Sequence, residues 1–106
     1  MIYEMTRSLA DNELTATAGH YDKNHEFPRD HAETLKSLGL YGISMSEEYD
    51  GAGLDHLAYA IAMEEVSRGD ASVGVLMSVM NSLYGGPLNY FASEDLKQKY
   101  LKPYAR

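Results

Sequence analysis

The chain has 106 residues, enough for one domain with a modest core. Sixteen acidic residues against nine basic ones give a net charge of -7, which argues against nucleic acid and anionic membrane surfaces as partners. There is no cysteine, hence no disulfide framework and no thiolate metal site, and no apolar run approaches the roughly 20 residues that span a bilayer.

The first residues, MIYEMTRSLADNE, carry acids early and lack an apolar core, so they read as neither a signal nor a transit peptide. A soluble protein with no targeting segment in this chain is the expectation. Ile2, Met5, Leu9, Asn12, Ala16 and Gly19 recur three and four apart, and Ala10, Leu14, Ala18 and Tyr21 widen that face. The spacing predicts a helix over 3–22, with Asn12 as a partly buried, hydrogen-bonded amide. A polar link, DKNHEF, leads to Pro28, suited to the first helical position because its missing N–H would be unpaired there. Ala32, Leu35 and Leu38 give the inner face of a second helix over 28–38. Gly39 followed by Leu40 is the sign of a left-handed C-cap.

Residues 40–54 lose the helical period, and Gly42, Asp50-Gly51 and Gly53 punctuate them. Ile43 and Met45 alternate with serines, which permits a short extended piece without a sheet. Asp55 is an N-cap for a third helix over 56–68, and Asp70 caps a fourth over 71–84. Gly85-Gly86-Pro87 is expected to break that helix, leaving one more turn over 88–91. Ser93 caps a last short helix that Pro103 stops; acids at its start and lysines towards its end suit the helix dipole. The fold expected is all-α, a bundle of five to six helices. The chain ends straight after a helix, as a segment of a longer protein would.

The central stretch, residues 55–86, organises the rest. Leu57 to Met63 and Ala71 to Leu83 contain no charged residue, and a helix apolar nearly all round must be covered nearly all round. More than this chain is expected to supply that cover.

Few residues suggest chemistry. Glu64 and Glu65 are adjacent acids, but neighbours on a helix diverge and do not share a site. A Glu64–Arg68 ion pair is the simpler account. His20, Asp22, His25 and His31 are scattered without metal-ligand spacing, and His56 stands alone. The histidines read as surface or capping groups, with no metal. Gly51-Ala52-Gly53 lacks the lysine and glycine spacing of a phosphate loop and reads as a tight turn. Val79, Met80, Leu83 and Tyr84 form an apolar stripe that is either core or the wall of a cavity; periodicity leaves both open.

Several motifs gain meaning in combination: FP at 27–28, LGLYGI at 38–43, EEYDGAGLD at 47–55, AYAIAMEEVSRGDAS at 58–72, MSVMNSLYGGPL at 77–88 and SEDLKQKYL at 93–101. Over residues 5–104 the chain resembles the N-terminal helical domain of the acyl-CoA dehydrogenases, closest to the short-chain (butyryl) type. Ser46 stands where the family commonly has proline, Asp50 where it has glycine, and Ala92 where it has glycine.

The resemblance implies a flavoprotein that introduces an α,β double bond into an acyl-CoA thioester. FAD would belong to the parent protein and is not expected to be held by this segment alone. Short-chain acyl-CoA, an electron-transferring flavoprotein and further copies of the chain, as a tetramer in the parent family, would be the partners. The place would be the cytoplasm in bacteria or the mitochondrial matrix in eukaryotes. Val79 and Leu83, with Met80 and the weaker Leu88, match positions lining the acyl cavity. The flavin-gripping β domain and the catalytic glutamate lie outside this chain, so no catalytic residue is assigned. The competing reading is a stand-alone, non-enzymatic helical interaction module.

Overall fold

The computed structural model describes residues 1–105. It is all-α, with no strand among the described residues. Five helical rods make it up. The first, α1, covers residues 2–24 as Ile2–Leu9, a wide turn closed by i→i+5 bonds over Ala10–Leu14, and Thr15–Asn24. The second, α2, is Arg29–Ser37, and α3 is His56–Gly69. Next comes α4, residues 71–91, built from Ala71–Ser78, a second wide turn over Val79–Gly85, and Gly86–Phe91. The last, α5, covers residues 94–105, with a third wide turn over Lys97–Leu101 between Glu94–Leu96 and Lys102–Ala105. Helix α3 lies between α1 and α4; α2 packs on the first half of α4 and α5 on its second half.

The caps follow from the residues that form them. Asp55 accepts a hydrogen bond from the Ala58 N–H at 2.9 Å, and Asp70 from the Ser72 N–H at 2.8 Å. At the end of α2 the Leu40 N–H donates to the Leu35 carbonyl and the Gly39 N–H to the Lys36 carbonyl, with Gly39 at φ +72°. This is a Schellman closure, and the apolar pair Leu35–Leu40 is buried beneath it. Pro28 sits one place earlier than expected: its carbonyl accepts the first helical bond, from the Ala32 N–H, so it caps α2 from outside. Ser93 precedes α5, but its side chain makes no capping bond.

Two proline expectations are overturned for a shared reason. Gly86 donates its N–H to the Asn81 carbonyl, and Lys102 donates to the Lys97 carbonyl, each five residues back. Proline follows both. A proline in a regular helix meets the carbonyl four residues before it and lacks the N–H to bond it. A turn with one extra residue moves that carbonyl out of register. Helix α4 therefore continues through Gly85-Gly86-Pro87 to Phe91, and α5 through Pro103 to Ala105.

The wide turn in α1 also turns part of the expected inner face outward. Leu9, Ala10 and Leu14 are buried as expected, while Asn12, Ala16 and Gly19 are exposed. The buried polar residue on this helix is Thr6, whose hydroxyl donates to the Ile2 carbonyl. On α2, His31 and Leu35 face the core, and Leu38 is exposed.

Residues 40–54 are a loop by period but core by burial. Leu40, Tyr41, Ile43, Met45 and Tyr49 all join the central apolar cluster. Their backbone is satisfied by returning bonds: Ala52 N–H to the Gly42 carbonyl, Gly53 N–H to Met45, Leu54 N–H to Ile43. The turn at Gly51 has no room for a side chain, since a Cβ there would lie 2.3 Å from the Met45 carbonyl oxygen. Ser46 caps the short turn Glu47–Tyr49 by accepting from the Glu48 N–H, and Asp50 ends it at φ +63°. Ser46 and Asp50, two of the three departures named above, thus occupy positions where these residue types have a local use; left-handed backbone is tolerated by aspartate.

Tyr104 locks α5 down. Its hydroxyl donates to the Tyr41 carbonyl at 2.6 Å and lies against the Met80 carbonyl, and its ring stacks parallel to Tyr41. Burial pushes the Tyr104 phenol well above the usual tyrosine range, and the Tyr41 phenol upward as well. The folded state thus prefers the protonated phenol. That stability is complete below the ordinary value near 10 and is lost as pH rises through the raised one. Tyr104→Phe is expected to lower stability at pH 7 and to flatten the fall in stability above pH about 10, measured by urea unfolding across that range.

Candidate functional site

The capped start of α4 aims its apolar faces in two directions. Val73, Gly74 and Met77 are buried against α3 and the loop. Opposite them, Val75 is 63% exposed, Val79 36% and Leu83 71%. Met80 and Leu88 are partly buried and pack against the core cluster. The stripe is therefore divided: Val79 and Leu83 point outward, while Met80 backs onto the core, as Leu88 does further along the helix. Tyr84 is exposed too, and with Met80, Tyr100, Tyr104, Lys36 and Lys99 it borders an open hollow of about 470 Å³.

Between Val79 and Leu83 stands Asn81, buried and fully engaged. Its Nδ2 donates to the Leu40 carbonyl at 2.7 Å and the Met77 carbonyl at 2.9 Å, and its Oδ1 accepts from the Ile43 N–H at 3.3 Å. Sequence reasoning missed this residue. The signal available was an amide in an uncharged helix, two residues from each wall position.

Four charged groups link α1 and α3. Arg68 pairs with Glu65 at 2.9 Å and with Asp11 of α1 at 2.7 Å, and Arg7 approaches Glu65 at 3.6 Å. Glu65 is the buried partner and Glu64 is exposed, so the expected Glu64–Arg68 pair is replaced. The hydrogen bond from Arg68, then the nearby positive charge of Arg68 and Arg7, holds the Asp11 carboxyl below its usual range. His31 is buried, contrary to the surface reading; its Nε2 lies 2.6 Å from the Thr17 hydroxyl, and its ring meets Tyr21 edge-on. Among the described residues no group of His, Asp and Glu converges as a metal site, and no helix is long and apolar enough to cross a membrane.

These features define a class: an all-α domain with an exposed apolar row on its central hairpin and an ion-pair group joining α1 to α3. The chain belongs to the acyl-CoA dehydrogenase family, whose N-terminal domain model matches residues 1–106. The human short-chain specific acyl-CoA dehydrogenase, mitochondrial, is 49% identical over 104 residues, covering 98% of this chain and 25% of that protein. The short-chain specific acyl-CoA dehydrogenase of Clostridium acetobutylicum is 38% identical, covering 100% of this chain and 28% of that one. The 3-(aryl)acrylate reductase of Clostridium sporogenes is 39% identical with the same coverage. A solved structure described as the electron transferring flavoprotein of Acidaminococcus fermentans matches with a TM-score of 0.94 at 39% identity, covering 99% of this chain and 28% of that chain. The chain spans about a quarter of the length of the curated relatives it matches.

The Asp11–Arg68–Glu65–Arg7 group ties α1 to α3, and removing Arg68 would leave the Glu65 carboxylate buried with only the longer Arg7 contact. Arg68→Ala is expected to lower the thermal midpoint clearly more than Lys23→Ala on the exposed end of α1, measured by circular dichroism.

Proposed function

We propose that this domain is the substrate-cavity part of an FAD-dependent acyl-CoA dehydrogenase that acts on short-chain acyl thioesters. The carrying observation is the exposure of Val79 and Leu83, 36% and 71%, on an otherwise well-packed helix. An apolar row left in water is unfavourable by about 25 cal/mol per Å² and is relieved when an alkyl tail or another domain covers it. In this reading Val79 and Leu83 meet the acyl tail, and Met80 and Leu88 support them from behind. Short side chains in the wall would lengthen the cavity, and each methylene is worth about 1–3 kcal/mol of discrimination.

The row supplies alkyl contact only. Ser82, beside it, donates its hydroxyl back to the Ser78 carbonyl, so this face provides no donor set for the diphosphate of a flavin dinucleotide. The residues of this row do not fit the cofactor's diphosphate, and in this reading they carry no step of the reaction. The proton acceptor for the α carbon, the flavin that takes up the β hydride and the exit of electrons to a flavoprotein partner belong to the rest of the protein in this proposal. What these residues do is exclude water and select length.

The relative named 3-(aryl)acrylate reductase keeps 39% identity over the same segment, so the acyl group is decided by a substrate series rather than by likeness. In the flavin-loaded full-length protein, wild type is expected to prefer butanoyl-CoA. Leu83→Ala should shift kcat/KM towards hexanoyl- and octanoyl-CoA by about tenfold or more. The same substitution should change the stability of the 106-residue chain by no more than about 0.5 kcal/mol, because the side chain is exposed there. A second test uses the 106-residue chain alone, which is expected to purify without flavin absorbance and without butanoyl-CoA oxidation. Activity from it would refute the placement of the chemistry elsewhere.

A further inference from the structure

The two outward wall residues, Val79 and Leu83, both lie in the wide turn of α4. That turn determines where they point relative to each other. In a regular helix a residue four places on lies slightly past one full turn; in a turn closed by i→i+5 bonds it falls slightly short of one. The wall is therefore shaped by the turn as well as by the side chains on it.

Asn81 sits midway between the two and on the opposite side, buried where they are exposed. It holds the turn at three points on two elements: the Met77 carbonyl on α4, and the Leu40 carbonyl and Ile43 N–H on the core loop. Its own carbonyl accepts the Gly86 N–H five residues ahead, so the residue also belongs to the ladder that makes the turn wide. Loop and helix are fastened to each other here through one amide.

We infer that Asn81 is a positioning residue for acyl-chain selection: by clamping the wide turn to residues 40–43 it sets the angle between Val79 and Leu83. This rests on the proposed reading of the row as an acyl wall. Pro87 lies on the same helix and discourages a regular register from the other end, because its ring would meet the Leu83 carbonyl. The clamp and the proline are separable. Asn81 joins the turn to the loop, whereas Pro87 acts only within the helix.

Two substitutions separate a positioning role from a stabilising one. Asn81→Leu removes all three bonds. Asn81→Ser keeps a hydroxyl able to bond back to the Met77 carbonyl, but it is too short to reach the loop. In the flavin-loaded full-length protein, assayed well below each variant's unfolding midpoint, both are expected to change the butanoyl-to-hexanoyl ratio of kcat/KM by about tenfold. The change should fall mainly in KM, with kcat on the preferred chain kept. In the 106-residue chain, amide exchange at Leu83 and Tyr84 should speed up in Asn81→Ser relative to wild type, a readout that requires no activity. Should Asn81→Leu fail to fold, Asn81→Ser and its exchange pattern decide the matter alone. An unchanged chain-length ratio in Asn81→Ser, or unchanged exchange at those two amides, overturns the inference. Wild type without any chain-length preference overturns the acyl-wall reading instead.

Discussion

The side-chain amide of Asn81 is the joint on which the domain depends. It reaches across 41 residues of sequence to the Leu40 carbonyl and across 38 to the Ile43 N–H. A buried backbone N–H and C=O without partners would cost roughly 1–3 kcal/mol each, and this one residue satisfies both. Because it does so, the loop after α2 can enter the core. Tyr41, Met45 and Tyr49 follow, and the loop gives α5 its seat: the Tyr104 hydroxyl bonds to Tyr41, and the Tyr49 hydroxyl donates to Glu94 at 2.8 Å. Glu94 in turn raises the Tyr49 phenol to about 12 through that hydrogen bond.

The architecture has the apolar middle on both sides of its account. Val66, Val73 and Met77 are sealed, and Leu57, Val75 and Leu83 are not. The charged residues do not compensate by surrounding the exposed row. They are used elsewhere, with Arg68 bridging α1 and α3. An acidic chain thus keeps exposed apolar side chains on its central hairpin.

Much of the layout was legible from residues acting locally. Asp55 and Asp70 capped as expected, and Gly39 closed its helix, since each effect needs only a side chain and the next few amides. What escaped were effects with a distant partner. Whether Arg68 takes Glu64 or Glu65 depends on where Asp11 and Arg7 of α1 lie. That Asn12, Ala16 and Gly19 face outward, while Leu14 faces inward as the spacing predicted, depends on a wide turn whose extra residue has no sequence marker. Residues 40–54 looked structureless because period detects regular elements, and burial there is arranged by an asparagine in another helix. Of the four residues proposed for the wall, the apolar pattern supplied Val79, Met80 and Leu83 and the family resemblance added Leu88; only the packing divided Val79 and Leu83 from Met80 and Leu88.

The wide turns have a further meaning for comparing relatives. Each of α1, α4 and α5 has absorbed a surplus residue without ceasing to be a rod. Losing one residue inside such a turn would restore an ordinary helical repeat and leave everything downstream facing nearly as before, because five residues of a wide turn sweep about the same angle as four of a regular helix. Length differences of a single residue between family members can therefore fall inside helices, and an alignment gap there would mark a lost wide turn with its flanking faces kept rather than a shortened loop.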